Sequence, residues 1–306
     1  MYKKFFGLSE NPFNVNPDPR FLFRTREIEE ALACLTYGIQ RRRGFILLTG
    51  EVGTGKTTLL NKLLESLRGE RVATAFIFNP RLSVKQFLHF ALTDFGIPCE
   101  TRMKSQILLR LNHWLLERYR AGENAVLIVD EAQNLSPELL EEIRLLTNLE
   151  TSTEKLLQIV LSGQPELEQL LNQPALRQLR QRITLRCRMA PLSVEDTRGY
   201  ICERLRIAGT NGEPVFAEDA IEAVFRHSSG IPRVINLLCE HALITAFAEG
   251  KRPVSTSIID GVAKDFGLGW SPAGFVQPAN GEKPVTQLVD SLQNLGQLMD
   301  RMRKGK

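Results

Sequence analysis

Two short stretches hold residue types able to bind and cut a phosphate chain: Gly50-Glu51-Val52-Gly53-Thr54-Gly55-Lys56-Thr57-Thr58 and the pair Asp130-Glu131 in NAVLIVDEAQNL. The first follows G-x-x-x-x-G-K-[ST], the P-loop spacing. Gly50, Val52, Gly53, Thr54, Gly55, Lys56, Thr57 and Thr58 are the candidate nucleotide-binding residues. Glycines at 53 and 55 let the backbone wrap phosphates, Lys56 reaches the β and γ oxygens, and Thr57 offers its hydroxyl to Mg2+. In the second stretch, a Walker B pattern, Asp130 holds the magnesium and Glu131 polarises the attacking water, a general-base role that contributes about 10²–10⁴-fold in rate. A protein that only senses nucleotide can dispense with the second carboxylate, so Glu131 favours turnover. The expected cofactors are ATP and Mg2+.

These groups need a strand to present them and a helix to start behind the loop. FILLT (45–49) has the length and apolarity of a buried strand, and TLLNKLLESL carries leucines at helical spacing. The P-loop therefore joins strand to helix, where backbone N–H groups and a helix N-terminus converge on an anion. Further strands are expected at 72–78, 125–129, 157–162 and 183–187, separated by helical patterns, which implies a parallel sheet. SVKQFLHFALTDFG opens with Ser83 and Gln86 in capping-box spacing, and SPELLEEIRLL opens with Ser136 as cap and Pro137 behind it. Asp130 and Glu131 fall at the C-terminal end of an apolar strand, the end where open α/β sheets bind ligands. The strand expected at 72–78 lies in sequence between the two motifs and favours the ATPase branch of P-loop proteins.

After Pro191 strand signals cease, and helices are expected over 193–207, 217–227, 232–248 and 255–266. GLGWSPAGFVQPANGEKP (267–284) reads as a linker, and 285–303 places Leu288, Leu292, Leu295, Met299 and Met302 on one helical face. The domains are then 1–44, an N-terminal linker and helix; 45–190, the α/β nucleotide-binding domain; 191–266, a helical lid; 267–284, a linker; and 285–306, a short amphipathic helix.

With 306 residues, 43% hydrophobic and 24% charged, the composition is that of a globular protein, and a net charge of +4 neither demands nor excludes nucleic acid. Five cysteines without a C-x-x-C pair fit reduced core thiols, and the four histidines lack metal-ligand spacing. No apolar run is long enough for a transmembrane segment and the N-terminus lacks a signal h-region, so a cytoplasmic location is expected.

Several stretches in order carry a resemblance: FFGLSENPFNVNPDPRFLF, GFILLTGEVGTGKTTL, LIVDEAQNL, LSGQPEL, APLSVEDTRGYICERLRIAG and SSGIPRVINLLCEHAL. Over residues 1 to 266 the chain resembles the ExeA/GspA-type AAA+ ATPases described from bacterial type II secretion, and it is also similar to ATP-dependent regulators of transposition. The resemblance implies an α/β AAA+ P-loop NTPase fold, a five-stranded parallel sheet flanked by helices and followed by a small all-helical lid. It implies Gln164, or alternatively Ser162, as the sensor that positions the water. Arg233 resembles the sensor-2 arginine that ties lid closure to the phosphates. Arg182, or failing that Arg180, resembles the finger reaching a neighbouring subunit, and the segment with Asn11, Pro12 and Phe13 resembles the linker near the adenine. The secretion-type members carry a transmembrane helix and a peptidoglycan-binding domain after the lid, and the expectation here is of neither.

The function expected is an ATP-hydrolysing assembly switch that forms a homo-oligomeric ring or filament and remodels a protein client of secretion, pilus or polysaccharide-export type. The alternative is an ATP-dependent regulator of transposition polymerising on duplex DNA, for which Arg41, Arg42 and Arg43 and the arginines from Arg177 to Arg188 supply the concentrated positive charge. A third reading is a nucleotide-bound scaffold without turnover.

Overall fold

Five short segments decide the architecture, the central ones through consecutive apolar residues that bury both faces of the strand. In the computed structural model, which describes residues 2–78, 82–101, 103–210 and 212–268, these segments are β1 (Phe45–Gly50), β2 (Val72–Ile77), β3 (Asn124–Val129), β4 (Leu157–Gly163) and β5 (Ile183–Met189). They form one sheet in the order β2-β3-β4-β1-β5, with every neighbouring pair parallel. The strand standing between the P-loop strand and the Asp-Glu strand is β4, whereas β2 lies at the edge. The insertion expected from chain order at 72–78 is therefore supplied in space by 157–163.

The described residues also hold twelve α-helices, besides three short 3-10 turns: α1 (Tyr2–Phe6), α2 (Arg26–Gln40), α3 (Lys56–Leu67), α4 (Val84–Asp94), α5 (Lys104–Arg120), α6 (Pro137–Leu146), α7 (Pro165–Leu171), α8 (Arg177–Arg182), α9 (Val194–Ile207), α10 (Glu218–Ser228), α11 (Pro232–Ala248) and α12 (Thr256–Asp265). Phe45, Leu47, Leu127, Val129, Ile159 and Leu161 face a core shared with α4 to α7. Their sequence neighbours Ile46, Leu48, Val126, Ile128 and Val160 face the opposite core, against α2 and α3. Both sides of the sheet are covered, as a parallel sheet requires. The expected caps form: Ser83 and Gln86 close a capping box on α4, and the Ser136 hydroxyl accepts from the Leu139 N–H at the start of α6.

Helices α9 to α12 gather around a second apolar core, to which the N-terminal segment contributes Phe6, Leu8 and Phe13. Phe13 is fully buried, edge-on to Phe216. Tyr2 donates its hydroxyl to Glu240 on α11, and the Arg204 guanidinium donates to the Pro12 carbonyl at 2.6 Å. Of the cysteines, Cys187 and Cys239 are buried but Cys202 is exposed, because it falls on the polar face of α9. The expected linker from 269 onward and the helix at 285–303 lie outside the described residues.

Candidate functional site

The turn from β1 into α3 is shaped by glycines where a side chain has no room. Gly53 and Gly55 adopt φ +83° and +96°. A Cβ on Gly50 would stand 2.7 Å from the Met189 carbonyl oxygen, and one on Gly53 would stand 2.6 Å from the Arg233 Cβ. Lys56 opens α3 and is buried, its ammonium donating to the carbonyls of Gly50 at 2.7 Å and Glu51 at 2.9 Å. Burial lowers the Lys56 pKa from the ordinary lysine value, against the opposing pull of Glu131 and Asp130. Thr54 donates to the Glu51 carbonyl at 2.9 Å, and Val52 stands exposed at the loop.

Asp130 and Glu131 follow directly on β3 and face the same cleft side. Asp130 is almost fully buried and its carboxylate is saturated by donors: Thr57 Oγ1 at 2.7 Å, Ser162 Oγ at 2.7 Å and the Glu131 N–H at 3.0 Å. A carboxylate touching a threonine hydroxyl at a helix start is a hard-oxygen donor pair, the chemistry that suits Mg2+. Glu131 takes φ +54°, an uncommon conformation for a residue with a side chain. Its Oε2 accepts from Gln133 Nε2 at 2.5 Å and from Gln164 Nε2 at 3.2 Å, while Gln133 Oε1 accepts from the Gln164 N–H at 3.2 Å. Gly163 leaves space for this arrangement, since a Cβ there would lie 2.8 Å from Gln133 Oε1. Ser162 and Gln164, alternatives in the sequence, thus serve different partners: Ser162 holds Asp130 and Gln164 holds Glu131. Gln133 was not a sequence candidate. Its position two residues after Glu131 in DEAQN was the available signal, but only the left-handed turn at Glu131 folds the two side chains together.

Lys56, Thr57, Glu131 and Arg233 line one cleft of about 320 Å³. Arg233 begins α11 behind Pro232, and its N–H donates to the Gly53 carbonyl at 3.2 Å, a direct tie between the helical layer and the loop. Arg182 and Arg180 are elsewhere. Arg182 Nη1 donates to Thr147 Oγ1, Asn148 Oδ1 and the Arg144 carbonyl at the end of α6, and Arg180 donates to Asn172 Oδ1. The N-terminal contribution to the cleft is also shifted. Phe13 is spent in the helical core, and Asn11 accepts from the Phe13 N–H and donates to Glu240, so residues 15–17 and 21–23 supply the lining instead of Asn11, Pro12 and Phe13.

Residues 39–171 match the family described as an AAA domain. General secretion pathway protein A of Aeromonas hydrophila is 49% identical over 255 residues, which are 83% of this chain and 46% of that protein. The chain carries an AAA+ module of the general secretion pathway protein A type. It spans about half the length of that curated relative. Among solved structures, Cdc6p of Pyrobaculum aerophilum superimposes with a TM-score of 0.63 at 19% identity, covering 79% of this chain and 68% of that one. The Aeropyrum pernix ORC2 protein gives 0.58 at 16%, covering 78% and 67%, and the Thermotoga maritima RuvB branch migration motor gives 0.53 at 16%, covering 80% and 70%. At these identities the likeness is one of fold: a five-stranded parallel sheet of the AAA+ P-loop class with helices following. No helix of the AAA+ module, among the described residues, is long and apolar enough to cross a membrane.

Proposed function

We infer that the cleft binds ATP with Mg2+ and hydrolyses it, and that the cycle drives assembly of subunits on a protein client. The observation that carries this reading is the division of labour at the end of β3. One carboxylate is buried and locked against Thr57, suited to a cation. The other is half-buried, faces the cleft and is aimed by two amides.

Thr57 Oγ1 and Asp130 are the groups that would hold the magnesium, which when bound neutralises charge on the β and γ phosphates. Lys56, already turned inward, exchanges its two carbonyl partners for phosphate oxygens. Glu131 takes a proton from the attacking water, and Gln164 and Gln133 hold its carboxylate in line. Arg233 links the phosphates to the helical layer, since its backbone is bonded to Gly53. Arg182, carried on the segment before β5, serves as the finger toward a neighbouring subunit, with Arg180 as the alternative.

The Aeromonas relative's name supports a client in secretion. The DNA-polymerising alternative has weaker support from charge: Arg42 pairs with Glu154, donates to the Glu123 carbonyl and lies over the Tyr119 ring, and Arg43 lies over Tyr37. The deciding experiment is the ATPase rate against protein concentration, with and without duplex DNA at two salt levels, alongside Glu131→Gln. A rate that rises with concentration, ignores DNA and is lost in Glu131→Gln supports the assembly ATPase. DNA stimulation that fades with salt supports the alternative, and equal rates for wild type and Glu131→Gln refute turnover.

A further inference from the structure

Arg204 is the most unusual charge in the module. It is 7% exposed, yet among the described residues it has no carboxylate partner within ion-pair distance. Asp18, within electrostatic reach, is committed to Arg20, which forks onto it at 2.7 and 3.0 Å. What holds Arg204 is neutral. Its guanidinium lies 4.8 Å from the Phe21 ring centre and 4.9 Å from that of Tyr200, and Nη1 donates to the Pro12 carbonyl. Nε is buried and has no partner. A buried donor left unmade is costly, so a guanidinium kept in this condition marks a position awaiting an acceptor.

The same residue lines the cleft together with Tyr200 and Asn236, which are 5% and 6% exposed. Tyr200 and Arg204 are four residues apart on α9 and share a face. Burial raises the Tyr200 pKa, which keeps the phenol protonated, and its hydroxyl donates to Asn236 Oδ1 at 2.9 Å. Asn236 is left with its amide hydrogens to give. The phosphate end of the cleft already has Lys56 and Arg233. Arg204 stands instead beside the N-terminal segment, its guanidinium over the Phe21 and Tyr200 rings, and its N–H groups point outward in the guanidinium plane. Ring nitrogens of a nucleobase accept in their own plane and suit that presentation, and the place of Arg204 away from Lys56 and Arg233 favours the base over the phosphates.

Resting on the nucleotide reading above, the geometry points to Arg204 as the base-reading residue of the cleft, donating to an acceptor ring nitrogen of adenine, with Tyr200 and Asn236 holding the base end. This assignment separates two jobs, since Arg204 also fastens the Pro12 segment to α9.

The test uses the whole chain in magnesium buffer and titration calorimetry. Wild type is titrated with ATP, with 1-deaza-, 3-deaza- and 7-deaza-ATP, and with inorganic tripolyphosphate; Arg204→Gln is titrated with the same panel. One deaza analogue is expected to bind wild type about 10- to 100-fold more weakly than ATP, the range of a hydrogen bond to a charged group. Arg204→Gln should weaken ATP by a similar factor, show no further loss with that analogue, and leave tripolyphosphate within about twofold. If all three analogues match ATP on wild type, or if the variant loses tripolyphosphate as much as ATP, Arg204 is only a fastener and the inference is overturned. Should Arg204→Gln not fold, the analogue series on wild type alone decides. Wild type binding neither ATP nor tripolyphosphate would remove the nucleotide reading, and this inference with it.

Discussion

Replacing Ser162 by alanine tests whether the buried carboxylate is held as the geometry requires. Ser162 is 0% exposed at the end of β4, and its hydroxyl gives Asp130 one of three hydrogen bonds. Alanine removes the donor and leaves a void too small for a useful replacement, so Oδ1 keeps only the Glu131 N–H. A hydrogen bond to a charged group is worth about 1.5–3 kcal/mol, and none of this is recovered from solvent at a site this buried. For a domain of this size each kcal/mol moves Tm by about 2–4 °C, so a fall of roughly 3–12 °C is expected. The measurement is a pair of thermal melts, wild type and Ser162→Ala, with Gln164→Ala as comparison. Gln164 bonds to the half-buried Glu131 at 3.2 Å, so its loss should cost about 1 kcal/mol or less while cutting turnover. A Ser162→Ala melt within 1 °C of wild type, or a larger fall for Gln164→Ala, would refute the division between the two side chains.

Three further outcomes are expected. Gly53→Ala should weaken ATP binding at least tenfold in calorimetry, because its φ of +83° and the 2.6 Å approach to the Arg233 Cβ forbid the methyl without moving α11. Gln133→Ala should lower kcat with little change in KM, since it frees the Glu131 carboxylate without touching the phosphate loop; an unchanged kcat would show that Gln164 suffices. Burial raises the Glu240 pKa, so the folded state favours its protonated form: stability is full below the ordinary carboxylate range and declines as pH climbs through the raised value. Glu240→Gln should flatten that decline in Tm measured across mildly acidic to neutral pH.

The five strands and several of the helices were legible, whereas α7 and α8, short and without side-chain caps, were not delimited. Ser83 with Gln86 and Ser136 with Pro137 set helix starts within a residue. Sheet order was not legible: nothing local in LQIVLSG says that it will stand between the two motif strands. Lys56, Thr57, Asp130 and Glu131 were readable as types at a spacing. Gln133 and Arg204 were not, because their meaning comes from long-range neighbours: the left-handed turn at Glu131 for one, and Phe21 with Pro12, nearly two hundred residues away, for the other. Asn11 to Phe13 misled for a related reason. An aromatic after Asn-Pro packs equally well on a cleft or in a core, and the apolar demand of α9 to α12 claimed it.

The packing of residues 2–13 among α9 to α12 also has a consequence for the order of synthesis. Tyr2 meets Glu240 across 238 positions. At about 5–20 residues per second, the N-terminal aromatics emerge roughly 10–50 s before their partners exist. The sheet, whose strands end at Met189, can close in that interval, while Phe6 and Phe13 remain without their pocket. Until α9 to α12 appear, the newborn chain therefore exposes Phe6 and Phe13, a window in which a holding chaperone has something to grip.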